Sequence, residues 1–336
     1  MDRSSKIITT SAFLLLCFLT VLAPARTDKA RVKGKNSQDA AVLWREPTDI
    51  ASRNLFYGPG GKTHEPRGTF TFEQEDMNGT NPKFDVVDDD GVRWKVKMGA
   101  EARPETAASR LVWAVGYFAN EDYFMARLHV QKMQRLRRGG NLVSRDGTVL
   151  NVRLKRHLKD EKKIGAWSWA KNPFTGTREW YGLRVLMAVM NNWDLKDINN
   201  SVYLTRSELR EERYVVSDLG ASFGATGLNW TQKGNPAAYC DSKWIKRISS
   251  EFVDFNVPSP PAMNYYINFP ELGRRLGLLW LGRDIPRTNA RWMGDQLARL
   301  SPEQIRDAFR AGGYSPLEIE QLSGVLERRI AELEKM

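Results

Sequence analysis

Asp194, Asn199 and Asp218 are the residues of this sequence whose types and spacing support chemistry. The first two lie in Asn191-Asn192-Trp193-Asp194-Leu195-Lys196-Asp197-Ile198-Asn199-Asn200, and the third in Val215-Val216-Ser217-Asp218-Leu219-Gly220. An Asp followed five residues on by Asn, then a second Asp ahead of a glycine, supplies one carboxylate to orient a hydroxyl. The amide and the second carboxylate are suited to hold Mg²⁺ against phosphates. Upstream, Lys95 and Lys97 share one face of a strand pattern, and Glu105 opens a helix pattern soon after. A strand lysine held by a helix glutamate is a fitting partner for phosphates. Lys97 is favoured over Lys95 because it lies just before the strand-to-helix connection. The bland alternatives are an exposed Lys–Glu pair of small energetic value, and aspartates that cap turns or hold a structural ion.

The elements that must position these residues are legible from periodicity. Thr69-Phe70-Thr71-Phe72, Phe84-Asp85-Val86-Val87 and Val92 to Met98 read as three antiparallel strands. In the third, Val92, Trp94, Val96 and Met98 share one face and Arg93, Lys95 and Lys97 the other. Glu105 to Val115 reads as a helix with Ala108, Leu111, Trp113 and Val115 on its buried stripe, and Tyr123 to Val130 as a returning strand. Asn141 to Leu154 reads as a hairpin, and Lys159 to Lys163 as a charged, solvated tract. Thr177 to Met190 is a helix pattern despite Gly182, and it delivers the Asp194 loop. Val202-Tyr203-Leu204 and Tyr214-Val215-Val216 then read as a hairpin with its tip at Arg206 to Arg213, which brings Asp194, Asn199 and Asp218 into one pocket.

The remainder supplies support. Asp241 to Phe255 is expected to include a helix, Ala221 to Gly227 a mobile loop, and Pro258-Ser259-Pro260-Pro261 an interruption. Ser301-Pro302-Glu303-Gln304 and Ser315-Pro316-Leu317-Glu318 each combine an N-cap serine, a first-turn proline and a capping-box partner. Leu300, Ile305, Phe309, Leu322, Leu326 and Ile330 are the expected apolar contacts of these helices. Gly58-Pro59-Gly60-Gly61-Lys62-Thr63 contains part of a phosphate loop, but the first glycine of that spacing falls at Phe56, so a turn is expected. The loop with Asn78-Gly79-Thr80-Asn81 is an ordinary hairpin connection or a cover over phosphates. His64, His129 and His157 share no metal-site spacing.

Hydrophobic residues at 41% and charged residues at 27% of 336 describe a globular chain long enough for two lobes and a cleft. Arg3 and Lys6 precede an apolar run, Ser11 to Leu22, that ends in Ala23-Pro24-Ala25. This composition reads as a signal peptide over 1–25, with export to the periplasm or secretion, and a membrane anchor as the alternative. Cleavage leaves Cys240 as the remaining cysteine, without an internal disulfide partner. The net charge of +11 favours an anionic partner. The basic residues form no single nucleic-acid recognition module.

Asp194-Leu195-Lys196-Asp197-Ile198-Asn199 resembles the catalytic loop of the protein-kinase-like superfamily, and Asp218-Leu219-Gly220 is similar to its metal-binding triplet, with Leu for the usual Phe. Asn192, where conventional kinases often have His, looks more like the HipA-type and lipid-kinase-like branches, and secreted kinase relatives accommodate export. The resemblance implies an α+β, two-lobed kinase-like fold. Residues 26–40 would be a lead-in, 41–130 a mixed N-lobe and 131–336 a mostly helical C-lobe. It implies a phosphotransferase using ATP with Mg or Mn, in which Lys97 or Lys95 meets phosphates and Glu105 positions the lysine. Asp194 would orient a protein, lipid or small-molecule hydroxyl, Lys196 would stabilise the transferring phosphate, and Asn199 and Asp218 would hold the metal. The alternative is a catalytically inactive nucleotide-binding or protein-interaction domain.

Overall fold

The alternation of the Val92 to Met98 segment is what closes the first layer of the fold. In the computed structural model, which describes residues 40–336 apart from 80, 193, 207–209, 227–230, 233 and 258–268, the segment forms β4 (Arg93–Lys97). It follows β2 (Phe70–Glu75) and β3 (Lys83–Asp88) and is followed by α1 (Ala102–Ala114), β5 (Asp122–Gln131) and β6 (Thr148–Arg156). The five strands close into a barrel in the order β2-β3-β4-β6-β5, with β2 and β5 parallel and the other pairs antiparallel. Phe70, Phe84, Val86, Trp94, Val96, Leu128, Val130, Val152 and Leu154 fill its interior. Lys95 and Lys97 are thereby directed outward, since successive strand residues point to opposite faces. The barrel takes its last strand from beyond residue 130, where the sequence reading drew a lobe boundary. The helix after β4 starts at Ala102, earlier than expected, and Trp113 lies at its edge under the Arg53 guanidinium rather than in the core.

A second sheet carries the candidate loop. β1 (Ala40–Val42), β7 (Glu161–Gly165), β8 (Asn200–Thr205) and β9 (Glu211–Val216) form it in the order β1-β9-β8-β7. The charged tract read as a solvated face is thus an edge strand, and charge is one way such edges resist unwanted pairing. Lys155 of β6 donates to the Tyr203 hydroxyl of β8 at 2.9 Å, joining barrel to sheet.

The larger core is helical. α2 (Arg178–Val189) is capped by Thr177 and surrounded by α5 (Arg287–Leu297) and α7 (Pro316–Glu334), with α6 (Pro302–Ala311) between α1 and α7. Both expected capping boxes form, Ser301 with Gln304 and Ser315 with Glu318. Leu300, Ile305, Phe309, Leu322, Leu326 and Ile330 are all buried in this core, together with Leu111 and Val112 of α1. The expected helix over Asp241 to Phe255 is a correction. A short helix, α3 (Pro236–Asp241), ends where it was to begin. β12 (Ile245–Ile248) and β13 (Phe252–Phe255) follow as a hairpin, joined by β14 (Ile285–Pro286). Ile245, Ile248, Phe252, Val253 and Phe255 are β-branched or aromatic, and this preference outweighs the helical reading. The small β10 (Ala225–Thr226) and β11 (Thr231–Gln232) pair with each other, and α4 (Phe269–Leu276) precedes β14. Phe223, in the loop expected to be mobile, is fully buried against Tyr239 and Phe309. The proposed signal and the lead-in as far as residue 39, as well as Pro258 to Pro261, lie outside the described residues, while Ala40 opens β1, and no described helix is long and apolar enough to cross a membrane.

Gly182, which argued against a helix by propensity, has a packing role. A Cβ there would stand 2.3 Å from the Trp292 ring and 2.8 Å from the Tyr117 hydroxyl. Gly182→Ala is therefore expected to destabilise the protein by about 1–3 kcal/mol through overpacking, although alanine is the better helix former. A thermal melt checks this, and a stabilised variant would refute it.

Candidate active site

Lys97 ends β4 at the junction of the barrel with α1 and the β8–β9 hairpin. Its side chain is almost fully buried, and a buried ammonium is stable only with close counter-charges. It has them: Nζ lies 2.6 Å from Glu101 Oε2, 2.8 Å from Glu105 Oε2 and 3.1 Å from Asp218 Oδ1. On the far side of Glu105, Oε1 accepts from Arg153 Nη2 at 2.9 Å, and Arg153 Nη1 is 3.5 Å from Asp122 Oδ1. The strand register explains this second cation, since Arg153 of β6 stands opposite Lys97 of β4.

Burial alone would depress the Lys97 ammonium, but Glu105, Asp218 and Glu101 reverse that and hold its pKa well above the ordinary lysine range. Burial pushes the Glu105 carboxyl up, against the pull of Arg153 and Lys97. Burial acts the same way on Asp218, whose side chain is about one-third exposed, yet Lys97 and the Gly220 N–H hold its pKa below the ordinary carboxylate value.

The loop before β8 is tied together by its own amides. Asn199 Nδ2 donates to the Asp194 carbonyl at 2.6 Å, and the Asn199 carbonyl accepts from the N–H groups of Ser217 (2.9 Å) and Asp218 (3.2 Å). The β8–β9 pairing, Asn200 opposite Val216, thus sets Asn199 beside Asp218 across a long sequence gap. Lys196 Nζ lies 3.0 Å from Asp194 Oδ1. Leu195 is buried in the helical core and anchors the loop between Asp194 and Lys196, whose side chains are both partly buried. Behind it, Asn191 takes a left-handed φ of 53° at the end of α2. Its side chain donates to Gly224 O and Ser242 Oγ, each at 2.7 Å, and accepts from buried Arg329 at 2.8 Å.

The structure brings Lys97, Glu105 and Asp218 into one cluster and stitches Asp194, Asn199 and Asp218 through the loop backbone. Lys95 goes elsewhere: its Nζ is paired with Asp76 and lies 3.0 Å from Asp85 Oδ1, its partner in strand register. Two residues of the cluster escaped the sequence reading. Glu101 was signalled only by its four-residue spacing from Lys97 across the turn at Gly99 and Ala100. Arg153 carries no local signal, because its place depends on strand register, whereas Asn81, whose amide donates to Glu101, lies in the loop expected to be a hairpin connection or a cover over phosphates. Glu101, Glu105 and Asp218 each offer an oxygen within 4.8 Å of the others. The Gly58 to Thr63 fragment forms short 3-10 turns.

No protein-family model and no curated protein matches this sequence. Among solved structures the fold is similar to the Helicobacter pylori proinflammatory kinase CtkA, with 12% identity over 80% of this chain and 98% of that one and a TM-score of 0.45. A likeness of this size assigns no residue and no activity to the chain, which is described at this level as a mixed α+β protein with a buried lysine–carboxylate cluster.

Proposed function

We propose that the protein is a metal-dependent phosphotransferase that moves the γ-phosphoryl of ATP to a hydroxyl acceptor on a two-lobed kinase-like scaffold. The single observation that carries this reading is the ion pairing of Lys97 with both Glu105 of α1 and Asp218, which follows the β8–β9 hairpin and is tied to Asn199 ahead of it. It joins a phosphate-binding cation to the loop suited to hold a metal and a hydroxyl. Lys97 binds phosphate oxygens, and Glu105, itself fixed by Arg153, sets the position of the ammonium. Asp194 orients the acceptor hydroxyl and takes its proton, while Lys196 beside it faces the charge of the transferring group.

The amide oxygen of Asn199 and the carboxylate of Asp218 are hard oxygen donors, a set that fits Mg²⁺ or Mn²⁺. A cation held there supplies charge neutralisation to the phosphates. Export of the chain and an anionic partner remain part of the reading, on the N-terminal pattern and the net charge of +11. A second reading is favoured by a specific observation: all three Lys97 contacts are already taken by carboxylates. That suits a catalytically inactive nucleotide-binding domain.

Titration of the purified protein with ATP, with Mg²⁺ and Mn²⁺ separately, tests the main reading. Saturable binding in the wild type should weaken at least about 10–100-fold in Asp218→Ala, the scale of losing even an outer-shell partner of a bound metal. Slow ADP formation with water or the protein itself as acceptor separates the enzyme from the inactive domain. A folded wild type that binds ATP with neither metal overturns both.

A further inference from the structure

We propose that Glu101 is a carboxylate plug on Lys97, occupying the place that a polyphosphate oxygen must take; the proposal rests on the phosphotransferase reading above. A lysine ammonium has three N–H donors, and Lys97 faces three carboxylate oxygens at 2.6–3.1 Å. A phosphate reaches this ammonium as a direct partner only by replacing one of them.

Each of the three has a further partner, and they differ in where a displaced carboxylate could turn. Glu105 is held on its other oxygen by Arg153 at 2.9 Å, and Asp218 Oδ1 accepts from the Gly220 N–H at 3.2 Å. Glu101 is placed differently. It is the N-cap residue of α1, a position where an acidic side chain ordinarily turns to the free N–H groups of the first turn. Here the side chain makes no capping bond and turns instead to Lys97. Asn81, on the connection between β2 and β3, donates its amide to the same Oε2 that meets the lysine. On the opposite side Glu101 lies against Gly220, where a Cβ would stand 2.7 Å from Glu101 Cβ and 2.8 Å from its Oε2.

The plug therefore sits between the β2–β3 connection, the Asp218-Leu219-Gly220 triplet and the lysine. Those are the three sides on which the proposed reaction needs the phosphates. A carboxylate oxygen reproduces the sign of charge and the acceptor geometry of a phosphate oxygen, so exchange leaves every Lys97 N–H bonded. It also frees the Asn81 amide to follow the incoming anion. While the plug is in place the binding-competent fraction is small, and apparent affinity falls in proportion to that fraction.

The test is calorimetric titration of the full chain with metal-free pyrophosphate and with MgATP, comparing wild type, Glu101→Gln, Asn81→Ala and Lys97→Met. Glu101→Gln keeps the shape and an acceptor but removes the charge, and is expected to bind both probes about tenfold tighter. Asn81→Ala changes no charge and should tighten both by about threefold by loosening the plug. This variant separates displacement of Glu101 from a general gain in positive potential. Binding gained in Glu101→Gln but not in Asn81→Ala, or affinity unchanged or weakened in Glu101→Gln, overturns the plug, as does failure of every variant to bind pyrophosphate. Pyrophosphate binding gained in both variants and lost in Lys97→Met, with no MgATP binding anywhere, upholds the plug and removes the phosphotransferase reading instead.

Discussion

Lys97→Met is expected to cost about 3–5 kcal/mol of folding stability at neutral pH, the scale of breaking a buried ion pair by removing one partner. The loss is large because Glu101, Glu105 and Asp218 then face one another without the shared ammonium. The pH dependence should steepen as well. In the wild type, Asp218 is held below its ordinary pKa. Its contribution is complete above the unfolded value and lost as pH falls through the folded one. Lys97 is held above its ordinary pKa, so its contribution is complete below the unfolded lysine value and lost only at high pH. Between roughly pH 5 and 8 neither group titrates, and at this site only Glu105, raised by burial, tilts the wild type toward higher stability as pH falls.

Without the ammonium, burial dominates Glu105, which is already pushed up, and crowding raises its neighbours. The folded variant then binds more protons than the unfolded chain, so its stability should rise as pH falls from about 7 to 5. Urea denaturation of both proteins across that window measures the two slopes. A variant whose slope across this window matches that of the wild type would show that the carboxylates do not depend on Lys97.

On the proposed phosphotransferase function, Asp194→Asn carries the second large effect, a fall in phosphoryl transfer of about 10²–10⁴-fold, the usual contribution of a positioned general base. Binding of MgATP should change little. The reason lies in which atoms hold the loop: Asn199 Nδ2 bonds the backbone carbonyl of residue 194, not its carboxylate. The substitution therefore removes the proton acceptor and leaves the hairpin and Asp218 in place. Turnover and nucleotide affinity measured on the same preparation separate the two. Equal turnover in variant and wild type would refute the role given to Asp194, and loss of affinity equal to that of Asp218→Ala would make it a binding residue.

Local chemistry determined much of this protein before any tertiary contact. The alternation of Val92 to Met98 set which side of β4 enters the barrel, because a strand repeats every two residues. The Ser-Pro starts at Ser301 and Ser315 set two helix beginnings, because a cap is satisfied within four residues. The run from Asp194 to Asn199, and Asp218 before Gly220, marked the candidate loop from residue type alone. Tertiary structure decided what depends on partners far along the chain. β12 and β13 became strands because Phe252 to Phe255 found partners in both Ile245 to Ile248 and Ile285 to Pro286. The charged tract at Glu161 became an edge strand because β8 was there to pair it. Arg153 reached Glu105 through the register of β6 on β4, and Asn81 reached Glu101 where a hairpin connection meets the start of α1. Sequence periodicity reports the faces of an element. Which faces meet depends on strand pairing and core packing over the whole chain, and that pairing is what brought Asp218 to Lys97.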